Sequence, residues 1–390
     1  MKKLLAVVST GLVIAGLAVT SFATGKIKES PDIKIAIDGK IGAYTDVPIL
    51  QDGRTLLPLR AVLTNLGIQN DDSHIVWNAQ ESSITINNDS SDSETKKIFL
   101  QVGNNKAQID EKTIDLDVPP VIYKSRTYIP ARFVAESLGK KVVWNANTRS
   151  VLIKNNKSYD EVKDILDKCD AAMKNVNKAK AKVSVDVNSK GKTSMTAKAD
   201  INLEMDIPKK KMHMLLNMSM LGMNINLESY YDNNVSYTKG FMIDGWSKSA
   251  LTADELSKEI GSLSLLKSDD STNAGLVVGD SDKPDEIVLQ GALYLDNFSE
   301  SAMGELGKGL TEGNSELLDN YSIKFIIDKN TYYIKSCTME TKGKASESDS
   351  TVTEEKFIID ISDINGNFEV NVPDDVKKSA VESKEANSLF

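Results

Sequence analysis

From Lys182 onward the chain alternates apolar and polar positions with a period of two. Val183, Val185 and Val187 alternate with Lys182, Ser184 and Asp186, and Ala197, Ala199, Ile201, Leu203, Met205 and Ile207 alternate with Lys198, Asp200, Asn202, Glu204 and Asp206. Met212, Met214, Leu216, Met218 and Met220 share one phase of the next run, and Met223, Ile225, Leu227 and Tyr231 continue it. Strict alternation predicts an antiparallel sheet with one wet and one dry face. Later strands are predicted over Ser322–Asp328, Tyr332–Glu340, Thr351–Ile361 and Phe368–Val372, with turns at Asn330 and Asn365-Gly366.

A dry face must be covered, and three helices are the candidates. The first holds Val162, Ile165, Leu166, Cys169, Ala172, Met173 and Val176 at helical spacing, opened by a capping box at Ser158 and Glu161. The second spans about 253–266, with Leu256, Ile260, Leu263 and Leu266 on its apolar face, and the third spans about 300–310. Three helices cover so wide a sheet thinly, which leaves room for an apolar cavity or groove.

The region before residue 155 has a different pattern, and it repeats. Arg54 to Gly67 aligns without gaps on Arg126 to Gly139, with identities at Arg54/Arg126, Thr55/Thr127, Pro58/Pro130, Arg60/Arg132, Val62/Val134, Leu66/Leu138 and Gly67/Gly139. Val76-Trp77-Asn78-Ala79 recurs as Val143-Trp144-Asn145-Ala146. Each copy predicts a strand ending at its proline, a short helix with a glycine just past its end, and a β-hairpin. One copy has too little core to stand alone, so the two are expected to pack as one domain. Trp77 and Trp144, at matched positions, are expected to pack the two cores rather than to offer stacking faces to a glycan. Arg54, Arg60, Arg126 and Arg132 suit either of two roles: gripping carboxylates or phosphates of a wall polymer, or bonding the domain's own backbone.

Composition narrows the function. The chain has 390 residues and a formal charge of −9, with 40% apolar and 26% charged residues. That is ordinary globular composition, and the acidity makes a nucleic-acid partner improbable. Lys2 and Lys3, the apolar run Leu4 to Val19 and the small residues Ser21-Phe22-Ala23 have the form of a secretion signal cleaved after Ala23. No cysteine lies near that point, so N-terminal lipid modification is not expected. Cys169 and Cys337 complete the cysteine count and leave two options, one disulfide or two buried thiols. Two histidines cannot build a three-histidine copper site, and no nucleophile elbow or phosphate loop occurs. The acidic stretch Asn87 to Glu94 lacks the calcium-loop order and reads as a solvated loop.

The segments DGRTLLPLRAVLTNLG with VWNA, and KSRTYIPARFVAESLGKKVVWNANTRSVLI, resemble the copper amine oxidase N-terminal-like (stalk) domain over about residues 33–155. The resemblance implies a surface or wall-associated module and no oxidase chemistry: Tyr230-Tyr231-Asp232 lacks the asparagine that the oxidase's quinone site requires. The opening helix, Gly245-Trp246-Ser247-Lys248, YSIKFIIDKNTYYIKSCTME and INGNFEVNVPDDV resemble the LolA/LppX-like half-barrel family over about 160–376. That resemblance implies handling of lipids or lipoproteins.

The reading is therefore an α+β protein: a signal peptide at 1–23, a stalk domain of two strand-helix-hairpin repeats at 31–155, an antiparallel half-barrel covered by helices at 158–376, and a disordered tail at 377–390. It is expected to be secreted, wall-associated and non-enzymatic, with no cofactor and no metal site. Its expected partners are a lipid or other apolar ligand and a wall polymer or envelope protein. The methionines read either as core filling or as a flexible pocket wall, so Ile165, Cys169, Met205, Met212, Met214, Leu216, Met218, Met220 and Met223 are the candidate pocket lining. The alternative is a structural or adhesive spacer with no small ligand.

Overall fold

The sequence repeat becomes a local twofold axis. In a computed structural model, which describes residues 26–42, 46–89, 97–146, 149–191, 194–240, 244–252, 266–291, 320–344 and 351–383, the first domain is built from short strands and two helices. In chain order these are β1 (Lys28–Glu29), β2 (Lys34–Ile37), β3 (Lys40–Ile41), β4 (Ile49–Gln51), β5 (Arg54–Pro58), α1 (Leu59–Asn65), β6 (Ile75–Asn78), β7 (Ser83–Asn87), β8 (Lys97–Gln101), β9 (Lys106–Ile109), β10 (Lys112–Asp115), β11 (Val121–Tyr123), β12 (Arg126–Pro130), α2 (Ala131–Ser137), β13 (Lys140–Asn145) and β14 (Ser150–Asn155). The matched strands β5 and β12 pair antiparallel about Leu57 and Ile129, themselves equivalent positions of the repeat. The sheet around them runs β1-β4-β5-β12-β11. Each copy continues into its helix and an antiparallel hairpin, β6–β7 in the first and β13–β14 in the second. Gly67 and Gly139, just past the two helices, have φ of 96° and 71°, a left-handed conformation that glycine adopts at least cost.

One core serves both copies. It joins Leu57, Val62 and Leu63 to Ile129, Val134 and Ala135, and adds Ile84, Ile86, Ile98 and Leu100 from the second sheet, β10-β9-β8-β7-β6. The tryptophans are not part of it. Trp77 and Trp144 are each 39% exposed, against the expectation that they pack the cores. Each lies near the end of a strand at a sheet edge, with a cross-strand neighbour on one side only, Ile84 for Trp77 and Val151 for Trp144.

The second domain opens with α3 (Asn156–Met173), two residues before the expected capping box. Asn155 caps it, its side chain accepting from the Lys157 amide. Then follow β15 (Lys178–Lys190), β16 (Met195–Asp206), β17 (Lys211–Met220), β18 (Met223–Asp232), β19 (Val235–Gly240), β20 (Ser247–Ala250), α4 (Asp270–Gly275), β21 (Leu276–Gly279), β22 (Glu286–Gly291), β23 (Asn320–Asp328), β24 (Ile334–Lys344), β25 (Val352–Ser362), α5 (Asp374–Ser379) and β26 (Val381–Glu382). They form a sheet ordered β21-β22-β23-β24-β25-β15-β16-β17-β18-β19-β20-β26, antiparallel except where β26 joins. The expected signal segment, the third helix and all but Leu266 of the second lie outside the described residues. No helix among the described residues is long and apolar enough to cross a membrane.

The chain after β25 departs from expectation twice. Residues 368–372 form no strand: the Phe368 ring lies under the ammonium groups of Lys178 and Lys180 on β15, and Val372 and Val376 pack on Tyr230, Tyr237 and Trp246. The expected disordered tail begins inside ordered structure, since α5 runs to Ser379 and β26 pairs in parallel with β20. Residues 384–390 lie outside the described set.

A buried lysine ties the two domains. Lys154, at the end of β14, is fully buried, and its ammonium donates to the carbonyls of Asn273 (3.1 Å) and Leu276 at the C-terminal end of α4. Ala36, Val143 and Leu152 of the first domain also pack with Tyr159 and Ala274 of the second, and the Tyr159 hydroxyl donates to Asp270 at 2.5 Å. Burial lowers the Lys154 pKa to about 8, with Asp38 and Glu161 opposing the shift.

Cys169 and Cys337 are both free and buried in one core, which settles the choice between disulfide and thiols. Burial pushes the Cys169 thiol up to about 12 and the Cys337 thiol higher still. Iodoacetamide is therefore expected to modify neither thiol in the folded chain and both in urea; an alkylated folded chain would contradict this burial. Lys154→Met keeps the apolar stem and strands two buried carbonyls, so urea unfolding should show a loss of about 1–3 kcal/mol. The folded pKa lies below the unfolded one, so between about pH 8 and 10 the unfolded chain holds more protons and the Lys154 contribution rises with pH. The stability gap between wild type and Lys154→Met should widen over that range; a constant gap would contradict the depressed pKa.

Candidate functional site

Antiparallel register sorts the inner face of the large sheet into rows that cross the strands. The deepest row is Ala179, Met205, Met212, Tyr231 and Ser236. Next come Ile361, Ala181, Leu203, Met214, Ser229 and Thr238, then Cys337, Ile359, Val183, Ile201, Leu216 and Leu227. The fourth row is Met339, Phe357, Val185, Ala199, Met218 and Ile225, and the fifth is Thr341, Glu355, Val187, Ala197, Met220 and Met223. The residues between them point outward and are Lys, Asp, Glu, Asn or Ser at most positions.

Packing runs out along this stack. Every residue of the deepest row is buried. In the fourth row Met339, Phe357 and Val185 are buried, while Ala199, Met218 and Ile225 are half-buried. In the fifth row Thr341 alone is buried, and Met223 is 46% exposed. The apolar phase of the strands thus runs on into positions that are half-buried or exposed. Covering such positions returns about 25 cal/mol per Å² of apolar surface, which is the gain open to an apolar guest.

The candidate pocket residues divide along this gradient. Ile165, Cys169, Met205, Met212, Met214 and Leu216 are buried in the core. Met218, Met220 and Met223 lie at the open end. Sequence reasoning missed two polar features of the face. One is a group of buried hydroxyls on β18–β20, Ser229, Ser236, Thr238 and Ser249, where Ser229 and Thr238 bond at 3.0 Å and the Ser236 hydroxyl is unpaired. The other is Glu355, whose place in the apolar phase of β25, two residues before Phe357, was visible in the alternation.

Outside the barrel, a groove of about 1030 Å³ lies where the β2–β3 turn meets the large sheet, and Lys40, Asp186, Lys324, Glu340, Glu355 and Lys356 are among its lining. Several of these charges are compensated: Glu340 pairs with Lys356 at 2.7 Å and Asp186 with Lys198 at 3.0 Å. The arginines serve the first domain's own side chains rather than its backbone. Arg54 bonds Asp117 (2.7 Å), Arg126 bonds Asp46 (3.3 Å) and Arg60 bonds Asn70 (2.9 Å), while Arg132 is exposed.

The histidines stand apart in separate domains. His74 lies between Asp71 (2.7 Å) and Asp89 (3.0 Å), and the hydrogen bond to Asp71 is the main cause raising its pKa. His213 stacks on Tyr230 at 4.2 Å and bonds Glu228 at 3.0 Å. Among the described residues, no three His, Cys, Asp or Glu groups converge as a metal site would require.

Comparison with known proteins gives a different answer for each domain. Residues 36–153 match the copper amine oxidase N-terminal domain. Among solved structures, the chain is similar to LprF from Mycobacterium bovis at 15% identity, covering 55% of this chain and 97% of that one with a TM-score of 0.31. It is also similar to the lipoprotein LppX from Mycobacterium tuberculosis at 12% identity, over 54% and 99% of the two chains with a TM-score of 0.29. A LolA superfamily protein from Nitrosomonas europaea shares 8% identity over 55% and 96%, with a TM-score of 0.20. No curated protein matches the chain. Residues 161–266 and 286–381, together just over half of the chain, match a family that has no assigned function, and the chain belongs to that family, DUF6612.

Proposed function

We propose that this is a secreted, non-catalytic cell-envelope protein whose half-barrel binds a hydrophobic, lipid-like ligand and whose stalk domain associates it with the surface. The observation that carries the reading is the burial gradient of the inner face, from the sealed row at Met205 and Met212 to the open row at Met220 and Met223. A largely apolar surface that is only half-buried is costly to leave in water, and flexible methionines suit it to guests of varied shape. The signal-like first 23 residues support export. The exposure of Trp77 and Trp144 supports contact between the stalk domain and a wall polymer, since a flat exposed indole can stack on sugar rings. The tight packing of the deep rows is what favours a spacer protein instead.

Diphenylhexatriene, a hydrocarbon dye that fluoresces when taken up by an apolar site, separates the two. The full chain is expected to bind it at micromolar concentration, and Met218→Gln/Met220→Gln to bind it at least tenfold more weakly. A wild-type chain that leaves the dye dark favours the spacer. For the stalk, Trp77→Ala/Trp144→Ala is expected to reduce co-sedimentation of the full chain with purified cell walls several-fold. Equal retention of the variant would remove the tryptophans from the wall contact.

A further inference from the structure

Among the described strand residues, the inner face carries one carboxyl and no cation. Among the described strand residues in the inward phase of β15–β20 and β22–β25, the side chains are apolar, hydroxyl or thiol, and none is Lys, Arg or His. Glu355 is the exception. It shares its phase with Phe357, Ile359 and Ile361, and stands across the strands from Val187 on one side and Thr341 on the other. Its hydrogen-bond partner is the Thr341 hydroxyl, which donates at 3.5 Å, the outer limit for such a bond. No ion pair forms with it among the described residues, although its outward neighbours Glu354 and Lys356 are both paired, at 2.6 and 2.7 Å. Burial raises its pKa, with the Thr341 bond opposing the shift.

Position gives this carboxyl its meaning. It sits in the fifth row, where burial gives out, with the Thr341 hydroxyl beside it in the same row. From Glu355 the row continues through Val187, Ala197, Met220 and Met223, crossing to the fourth strand beyond, a run of about 19 Å at ~4.8 Å per strand. A half-buried carboxylate without a counter-ion is unfavourable where it stands, and an ammonium brought to it forms a charge-assisted hydrogen bond that relieves the cost. A fatty carboxylate would instead meet like charge.

We propose that Glu355 is the head-group site of a cationic amphiphile, accepting a hydrogen bond from a primary ammonium while the alkyl chain lies along Val187, Ala197, Met218 and Met220. This rests on the interior-ligand reading above and adds the ligand's charge class to it. The site selects among chain-matched amphiphiles by their heads, amine over alcohol over carboxylate.

Competition against diphenylhexatriene on the full chain at pH 7, with dodecylamine, dodecanol and dodecanoate as probes, tests both levels separately. Wild type is expected to prefer dodecylamine. Glu355→Gln, which keeps the shape and removes the charge, is expected to weaken dodecylamine about tenfold, to strengthen dodecanoate, and to leave dodecanol and the dye within about twofold. Its melting temperature should equal or exceed that of wild type, since a buried charge is removed. Equal wild-type affinities for the three probes, or dodecylamine binding unchanged in Glu355→Gln, would overturn the head-group site while leaving an apolar guest in place. Binding of neither dye nor any probe by the wild-type chain would overturn the interior-ligand reading and this site with it.

Discussion

A strand with strictly alternating side chains must hide one face, and nearly everything else in this chain follows from how that is done. Five successive strands, β24, β25, β15, β16 and β17, run for 10 to 13 residues each, and their inward phase stays apolar along most of that length. Among the described residues, α3 is the long helix that packs against them. Side chains from α3 and from the opposite wall seal the deep rows, and the cover fails toward Met220 and Met223. The same constraint acts on the outside, where the aromatic group Tyr230, Tyr237 and Trp246 is hidden by a strap of chain after β25 rather than by a further sheet. That strap ends in β26, whose two residues protect the edge at β20 from pairing with another chain.

The stalk domain meets the same demand by symmetry. Neither repeat can bury its own helix stripe, so the two pair through β5 and β12 and share one core. The domain is then joined to the barrel by a buried ammonium on the carbonyl end of α4, where a cation completes backbone acceptors that the short helix leaves open. A lysine with no aqueous exposure is costly, and it holds there because its donors meet carbonyls rather than apolar surface.

Much of this was legible in the chain. The period-two runs marked the long strands and their dry face, and the gap-free match of Arg54–Gly67 with Arg126–Gly139 marked the repeat. What could not be read is where each side chain sits in the third dimension. Trp77 and Trp144 share the phase that reaches the core through Ile75 and Val142, yet they stand past its edge. Phe368–Val372 alternates like a strand, but its apolar residues pack on the outside of the sheet, Phe368 over Lys178 and Lys180 of β15 and Val372 on Tyr230 of β18. Within the candidate pocket, Met212 and Met223 look alike in sequence; register alone places one in the sealed row and the other at the open end. Glu355 was readable as a break in phase, though what makes it notable is that, among the described residues, its one bond is from the Thr341 hydroxyl and it forms no ion pair.

The central claim is that the open end of the inner face holds a guest. Native mass spectrometry of the full chain, exported by its own host and purified without detergent, tests it most directly. The account predicts a protein carrying a non-covalent adduct of amphiphile size that is released on denaturation and absent from Met218→Gln/Met220→Gln. A wild-type chain that flies at its bare polypeptide mass, and stays bare after incubation with extracted host lipids, would contradict it.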